Sequence, residues 1–232
     1  MTAKFLPLAA VVLLTGCEVE MTGPVQHETR SIDRDASEYV SVNLRMGAGD
    51  LQVSGGASKL AQADFSYNVP SWKPYVRYSS AAGHGTLTIE QPGTTHSHVG
   101  SQKYRWELQL SRDVPIDLDV HFGAGEARLD LREVTLRGVN VEMGVGQIDM
   151  DLRGAPKRDY EVRIRGGIGQ ATVRLPRNVG VYARGAGGIG EISTKGLRRE
   201  GDHWVNDAYD HAKTQIRVDV QGGIGQINLI AD

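Results

Sequence analysis

The sequence has few of the residues that cross-link a protein or fill a typical globular core. One cysteine, Cys17, and three phenylalanines occur among its 232 residues, and a lone cysteine excludes a disulfide within the chain. No apolar run approaches the roughly 20 residues that a membrane-spanning helix needs. The 26 basic and 28 acidic residues nearly cancel, which argues against electrostatic binding of nucleic acid.

The sequence also lacks the motifs of the common enzyme classes. It has no nucleophile elbow, no HExxH and no nucleophilic arrangement of Cys and His. The segment GGIGQ lacks the Lys and the Ser or Thr of a phosphate-binding loop. Asp50 and Glu126 are weak calcium candidates, and His84, His96 and His98 are interpreted as residues of an ordinary solvated loop. We therefore predict no catalytic residue, no metal site and no cofactor.

The amino terminus has the organisation of a bacterial lipoprotein signal. Lys4 precedes an apolar stretch from Phe5 to Leu14 that is too short to span a bilayer. It ends in LLTGC, which resembles the lipobox at which bacterial prolipoproteins are processed. We predict a signal peptide over residues 1–17, lipidation of Cys17 and a polar tether over residues 18–31. A plain secretory signal is the alternative.

One short motif occurs six times in the rest of the chain. It reads GxG, then an acidic or amide residue, then an apolar one: GAGDL, GAGEA, GVGQI, GIGQA, GIGEI and GIGQI. The copies begin at residues 47, 123, 144, 167, 188 and 223. Apolar residues alternate on both sides of each copy, as in half-buried strands, but their phase changes across it. In one copy, for example, Val141 and Met143 are followed by Ile148 and Met150.

A change of phase requires a bulge or a bend, and glycine adopts the angles of a bend at little steric cost. Each motif is therefore predicted to be a corner between two strands. Units of 21 to 23 residues cannot bury an apolar row alone, so successive units must stack. The predicted fold is all-β, with a short single-chain β-solenoid of about five coils over residues 115–232. Its structural corners are Gly47, Gly49, Gly123, Gly125, Gly144, Gly146, Gly167, Gly169, Gly188, Gly190, Gly223 and Gly225.

Two other segments complete the predicted organisation. Residues 32–114 are predicted to form a less regular β region, joined by turns such as AAGHG. Its aromatic residues, which include Trp72 and Trp106, favour core packing over an exposed binding surface. Residues 195–212 interrupt the repeat, and we predict that this insert caps the end of the stack.

Two acidic pairs, Asp117 with Asp119 and Asp149 with Asp151, are spaced like those of carbohydrate-cleaving β-helix enzymes. In-register coils would place Arg128 opposite Asp149, an attraction worth about 0.2–1 kcal/mol across a ladder. The second pair is therefore interpreted as structural.

The chain from about residue 30 to residue 232 resembles the toast-rack lipoproteins. These are related to the adhesins and to the cell-wall-active-antibiotic response proteins, which have a β-helical carboxy-terminal region. The matching segments are RMGAGDLQVSGGASKL, FSYNVPSWKPYVRY, VPIDLDVHFGAGEARLDL, GGIGQATVRLP and GDHWVNDAY ahead of GGIGQI. The resemblance implies a role in the cell envelope and supplies no catalytic residues.

Three functional hypotheses follow. The first is a non-enzymatic envelope lipoprotein, a structural or adhesion-like binding module that faces the periplasm or the exterior. Its expected partners are the membrane through the lipid anchor, an envelope protein or glycan, and a second copy of itself, but not nucleic acid. The second is a membrane-anchored regulator of an envelope-stress sensor. The third is a carbohydrate-active enzyme that uses the paired aspartates.

Overall fold

A computed structural model describes residues 19–93 and 97–232, with only the backbone described for residues 19, 20 and 97–99. Cys17 and the signal segment predicted over residues 1–17 lie outside the described residues. No helix of the described part is long and apolar enough to cross a membrane. One 3-10 turn spans Pro70–Trp72. The strands are β1 (Val19–Met21), β2 (Gln26–Ile32), β3 (Tyr39–Ala57), β4 (Ala61–Tyr67), β5 (Tyr75–Ala81), β6 (His84–Glu90), β7 (Ser97–Val99), β8 (Tyr104–Ser111), β9 (Ile116–Asp130), β10 (Leu136–Asp151), β11 (Tyr160–Leu175), β12 (Gly180–Lys195), β13 (Arg198–Glu200), β14 (His203–Val205) and β15 (Gln215–Ala231).

Six long strands, one for each glycine motif, form a parallel stack in the order β3-β9-β10-β11-β15-β12. They pair in register, with each GxG directly beside the next. The predicted all-β, solenoid-like fold is confirmed.

The stack does not follow chain order at its end, where β15 lies between β11 and β12. The prediction that successive units stack is therefore wrong for β11 and β12, which β15 separates. Burial gives a physical reason, because β15 carries Ile227 and Leu229 where β12 carries Ile192 and Thr194. The more apolar strand occupies the interior position, where both of its edges are covered.

The glycine corners lie inside continuous strands and not between separate ones. The second glycine of each motif has a positive φ, between +127° and +149°. A bend with these angles reverses the buried face while the ladder continues, which explains the phase change in the sequence. We call the part of each long strand before its motif the first arm and the part after it the second arm.

The first arms form one layer and the second arms another, and their inward side chains meet in one core. Along β9, for example, Val120 and Phe122 of the first arm and Ala127 and Leu129 of the second arm are all buried. The two layers are joined at the corners, so the two arms of each long strand enclose the part of the core that lies between them.

The first motif belongs to the stack although it is 76 residues ahead of the second. Its strand, β3, pairs with β9 from Val40 to Ser54. Beyond β3, the first-arm layer continues through β6 and β5, and the second-arm layer continues through β8, β4 and β2. Residues 32–114, predicted to be a less regular β region ahead of the repeats, therefore share a sheet and a core with them.

The segment predicted to be a tether over residues 18–31 is partly a strand. Gln26–Ile32 pairs antiparallel with β4 along its whole length. Its side chains are mostly exposed because it is an edge strand, which is why its composition is that of a polar linker.

The insert at residues 195–212 forms a small hairpin, β13 and β14, at the end of the first-arm layer. It pairs with β12 only at Tyr182 and Ala183. Asn206 fixes it, since its Nδ2 donates to the carbonyl of Val179 at 2.7 Å and its Oδ1 accepts from the backbone N–H of Val181 at 2.9 Å. The cap therefore covers the first arm of β12.

Candidate functional site

An open groove of about 750 Å³ lies along the outer face of the first arms. It crosses the stack from β3 to β12. Its lining is mostly polar and comprises Ser41, Asn43, Asp117, Leu118, Asp119, Arg137, Gly138, Val139, Asn140, Asp159, Tyr160, Glu161, Arg163, Tyr182, Gln215, Ile216 and Arg217. We call this surface the polar groove.

The alternation of each first arm builds the polar groove. Because neighbouring arms pair in register, outward residues of equivalent position form columns across the stack. One column runs Ser41, Asp117, Gly138, Glu161, Arg217 and Tyr182. Gly138 has no side chain, so it leaves a depression between Asp117 and Glu161.

Ion pairs and hydrogen bonds hold the charges at one end of the groove. Arg137 Nε lies 3.2 Å from Asp117 Oδ2, and its guanidinium lies 4.0 Å from the centre of the Tyr39 ring. Asp119 is 2.7 Å from His121 Nδ1 and accepts a hydrogen bond of 3.0 Å from Asn140. Fixed charges of both signs suit recognition of a polar partner.

Aromatic rings lie at the other end of the polar groove. Tyr182 stacks on His203 of the cap, with 4.4 Å between the ring centres. The guanidinium of Arg217 lies 5.2 Å from the centre of the Tyr182 ring. Tyr and Arg are the residue types that most often dominate the binding energy of protein interfaces.

The structure separates the two acidic pairs suggested by the sequence. Asp117 and Asp119 line the groove, whereas Asp149 and Asp151 lie on the second arm. Burial would raise the pKa of Asp151, but hydrogen bonds from Arg153 outweigh it and hold that pKa below its ordinary value. A glycosidase acid needs a raised pKa, so Asp151 does not suit that role.

The cross-strand register expected for Arg128 and Asp149 is confirmed. The ion pair is different, however, because Arg128 binds Glu126, two residues earlier in its own strand, at 2.5 Å. Asp151 likewise binds Arg153, at 2.7 Å. Residues two apart on a strand share a face, so Arg128 pairs within its own strand in place of the pair expected across the ladder. Asp151 also contacts a neighbouring coil, where Arg132 Nε lies 3.6 Å from its Oδ2.

Most of the remaining candidates pack or hydrogen-bond within the fold where they are described. Trp72 and Trp106 are buried, as expected, whereas Tyr75, a neighbouring aromatic residue for which the sequence also favoured core packing, is 66% exposed. His84 stacks on Tyr39 and hydrogen-bonds the Ser41 hydroxyl at 2.9 Å, and His96 lies outside the described residues. Among residues 19–93 and 97–232, no group of three or more His, Cys, Asp or Glu could hold a metal ion.

The family model described as the N-terminal domain of toast_rack matches residues 21–174. The chain belongs to the toast-rack family. A second model, described as cell wall-active antibiotics response LiaF, C-terminal, matches residues 124–229 of this toast-rack protein. No curated protein matches it in sequence.

Two solved structures show the range of similarity. A protein from Clostridium sporogenes, named for cell adhesion, is 32% identical with a TM-score of 0.87, covering 90% of this toast-rack chain and 100% of that one. A protein from Bacteroides fragilis, named as an adhesin, is 9% identical with a TM-score of 0.35, covering 90% and 99%. The second similarity is too low to support an argument.

The polar groove of this toast-rack protein was not predicted from its sequence. Arg137, Tyr182 and Arg217 were not singled out, because each looks like an ordinary outward residue of a strand. Tyr182 and Arg217 become neighbours through the pairing of β12 with β15, which chain order does not predict. The missing side chain at Gly138 is the one local signal that could have pointed to the groove.

Proposed function

We propose that this protein is a non-enzymatic binding module of the bacterial cell envelope, held to a membrane by lipid on Cys17. The observation that carries the proposal is the polar groove, which presents fixed charges and a Tyr182–Arg217 cluster on a rigid sheet. The similarity to a protein named for cell adhesion supports an adhesion-like role. The lipobox-like LLTGC supports the anchor.

The partner that best fits the groove is a polar polypeptide segment of another envelope protein. The Tyr182 ring already has several neighbours, since His203 stacks on it and the guanidinium groups of Arg217 and Arg184 lie 5.2 Å and 5.8 Å from its centre. An aromatic ring that stacks on a sugar needs a free face, so this crowding favours side-chain and backbone contacts of a protein.

Site-specific photo-cross-linking of the full-length protein in its own host tests this proposal. A photoreactive residue at Arg163, in the groove, is compared with one at Arg174, on the exposed face of the second arm. We expect one recurrent envelope protein from position 163 and none from position 174. Equal capture from the two positions, or capture of glycan alone, would contradict a polypeptide-binding groove.

Regulation of an envelope-stress sensor is the second candidate, favoured by the match of residues 124–229 to the cell wall-active antibiotics response model. The two roles differ in one measurement. If the protein restrains a sensor, deleting its gene changes the transcriptional response to cell-wall antibiotics. If it does not, deleting the gene changes only adhesion or surface integrity. Replacing Cys17 by Ser should release the protein from the membrane fraction in both cases.

A further inference from the structure

The second-arm layer ends at an uncovered strand edge. The cap hairpin pairs with β12 at Tyr182 and Ala183, and β15 pairs with its other side along the whole strand. In the part of the chain that the structure describes, no strand pairs with the outer side of Glu191–Lys195. We call these five residues the open edge. Their unpaired N–H and C=O groups form a template for another strand.

The core is also uncovered at the open edge. Ile192 and Thr194 face inward, because they pair with the buried Ile227 and Leu229 of β15. Both are nevertheless partly exposed, and Ile189 at the adjacent corner is 71% exposed. An added strand would bury these side chains, and that burial is the main favourable term in association.

The open edge carries one acidic and one basic side chain, placed symmetrically about its middle residue. Glu191 and Lys195 lie on the outward face, two residues on either side of Ser193. They are about 13 Å apart along the strand, too far to bind each other. The described residues contain no ion-pair partner for either one. On β2, an edge at the opposite end of the sheet, Arg30 and Glu28 already bind each other.

We propose that the open edge binds a second copy of this chain. The two edges pair antiparallel about a twofold axis at Ser193, so that Glu191 faces the partner's Lys195 and Ile192 faces the partner's Thr194. A twofold contact uses the same surface on both copies, and this strand is self-complementary in both charge and apolar character. A five-residue contact is small, so the dimer depends on concentration.

Disulfide trapping tests the axis directly. Ser193→Cys in the full chain places two thiols opposite each other, and directly opposed Cα atoms lie about 4.5–5.5 Å apart, within disulfide range. Asn228→Cys is the matched control, since Asn228 is the neighbour of Ser193 one strand further from the edge. The unaltered chain controls for Cys17.

Under mild oxidation in cells, we expect a band of twice the monomer mass from Ser193→Cys and not from Asn228→Cys. Equal trapping at the two positions, or none at either, overturns the proposal. Trapping of Ser193→Cys on a different protein also overturns it, because the open edge would then serve a foreign strand.

Charge exchange provides an independent readout by sedimentation of the purified full chain in detergent. Glu191→Lys alone and Lys195→Glu alone each turn two attractive pairs into repulsive ones, which should weaken self-association about tenfold. The double variant restores both pairs and should recover the original affinity. Additive weakening in the double variant, or no effect of any variant, would refute the twofold register. Neither residue lines the polar groove, so these results are independent of the proposed function.

Discussion

Replacing Gly169 by Ala should destabilise the protein strongly, although it adds only one methyl group. Gly169 is the second glycine of its motif and has a φ of +145°. A Cβ at this position would lie 1.8 Å from the carbonyl oxygen of Gly146 in the neighbouring coil. That atom is backbone in the middle of the stack, so it cannot turn aside as a flexible side chain could.

The magnitude follows from two contributions. A non-glycine residue at such a φ costs about 1–3 kcal/mol. Moving the coils apart to relieve the contact weakens ladder hydrogen bonds that contribute about 0.5–1.5 kcal/mol each. We therefore expect a loss of at least about 2 kcal/mol, which for a chain of this size lowers Tm by about 4–8 °C.

Gly166→Ala is the matched control for this experiment. Gly166 lies three residues earlier in the same strand, and a Cβ there would meet no atom within 4 Å. Its φ is not positive, so Ala should leave stability unchanged or raise it by about 0.4–1 kcal/mol. Thermal unfolding followed by circular dichroism compares the two variants. Equal Tm values for Gly166→Ala and Gly169→Ala would refute the close approach of the coils at the corner.

Two further predictions concern the polar groups that hold the ends of the fold. Asn206→Ala should lower the free energy of unfolding in urea by about 1–3 kcal/mol, because it leaves the N–H of Val181 and the carbonyl of Val179 buried without their partner. Replacing the neighbouring exposed Asp207 by Ala is the control and should have no effect. Equal losses of stability in the two variants would contradict this role of Asn206. Asp151 has a lowered pKa in the folded state, so its stabilisation is present above its unfolded pKa and is lost as the pH falls through the folded value. The Asp151→Asn variant should therefore be less stable than the parent by about 1 kcal/mol at pH 7, and this difference in stability should shrink below pH 4. A difference in stability that does not change with pH would show that the charge of Asp151 is not involved.

The local structure was largely predictable because it depends on short-range pattern. The alternation before and after each motif identified the buried residues, such as Val162 and Ile164 before one corner and Val173 and Leu175 after it. The edge strand β2 was missed for the same reason, since exposed residues on an edge resemble a linker in composition. Burial patterns identify a strand only where one face is covered.

The sequence by itself determined the repeating strand, its bend and its buried face, since alternation and glycine act within a few residues. Only the tertiary structure decided which copies are neighbours. Every copy presents nearly the same GxG motif to its neighbour, so strand pairing alone does not favour one order of the copies over another. The order is decided by how much apolar surface each copy buries, which places β15 inside the stack and β12 at its end. The polar groove and the open edge both follow from that order.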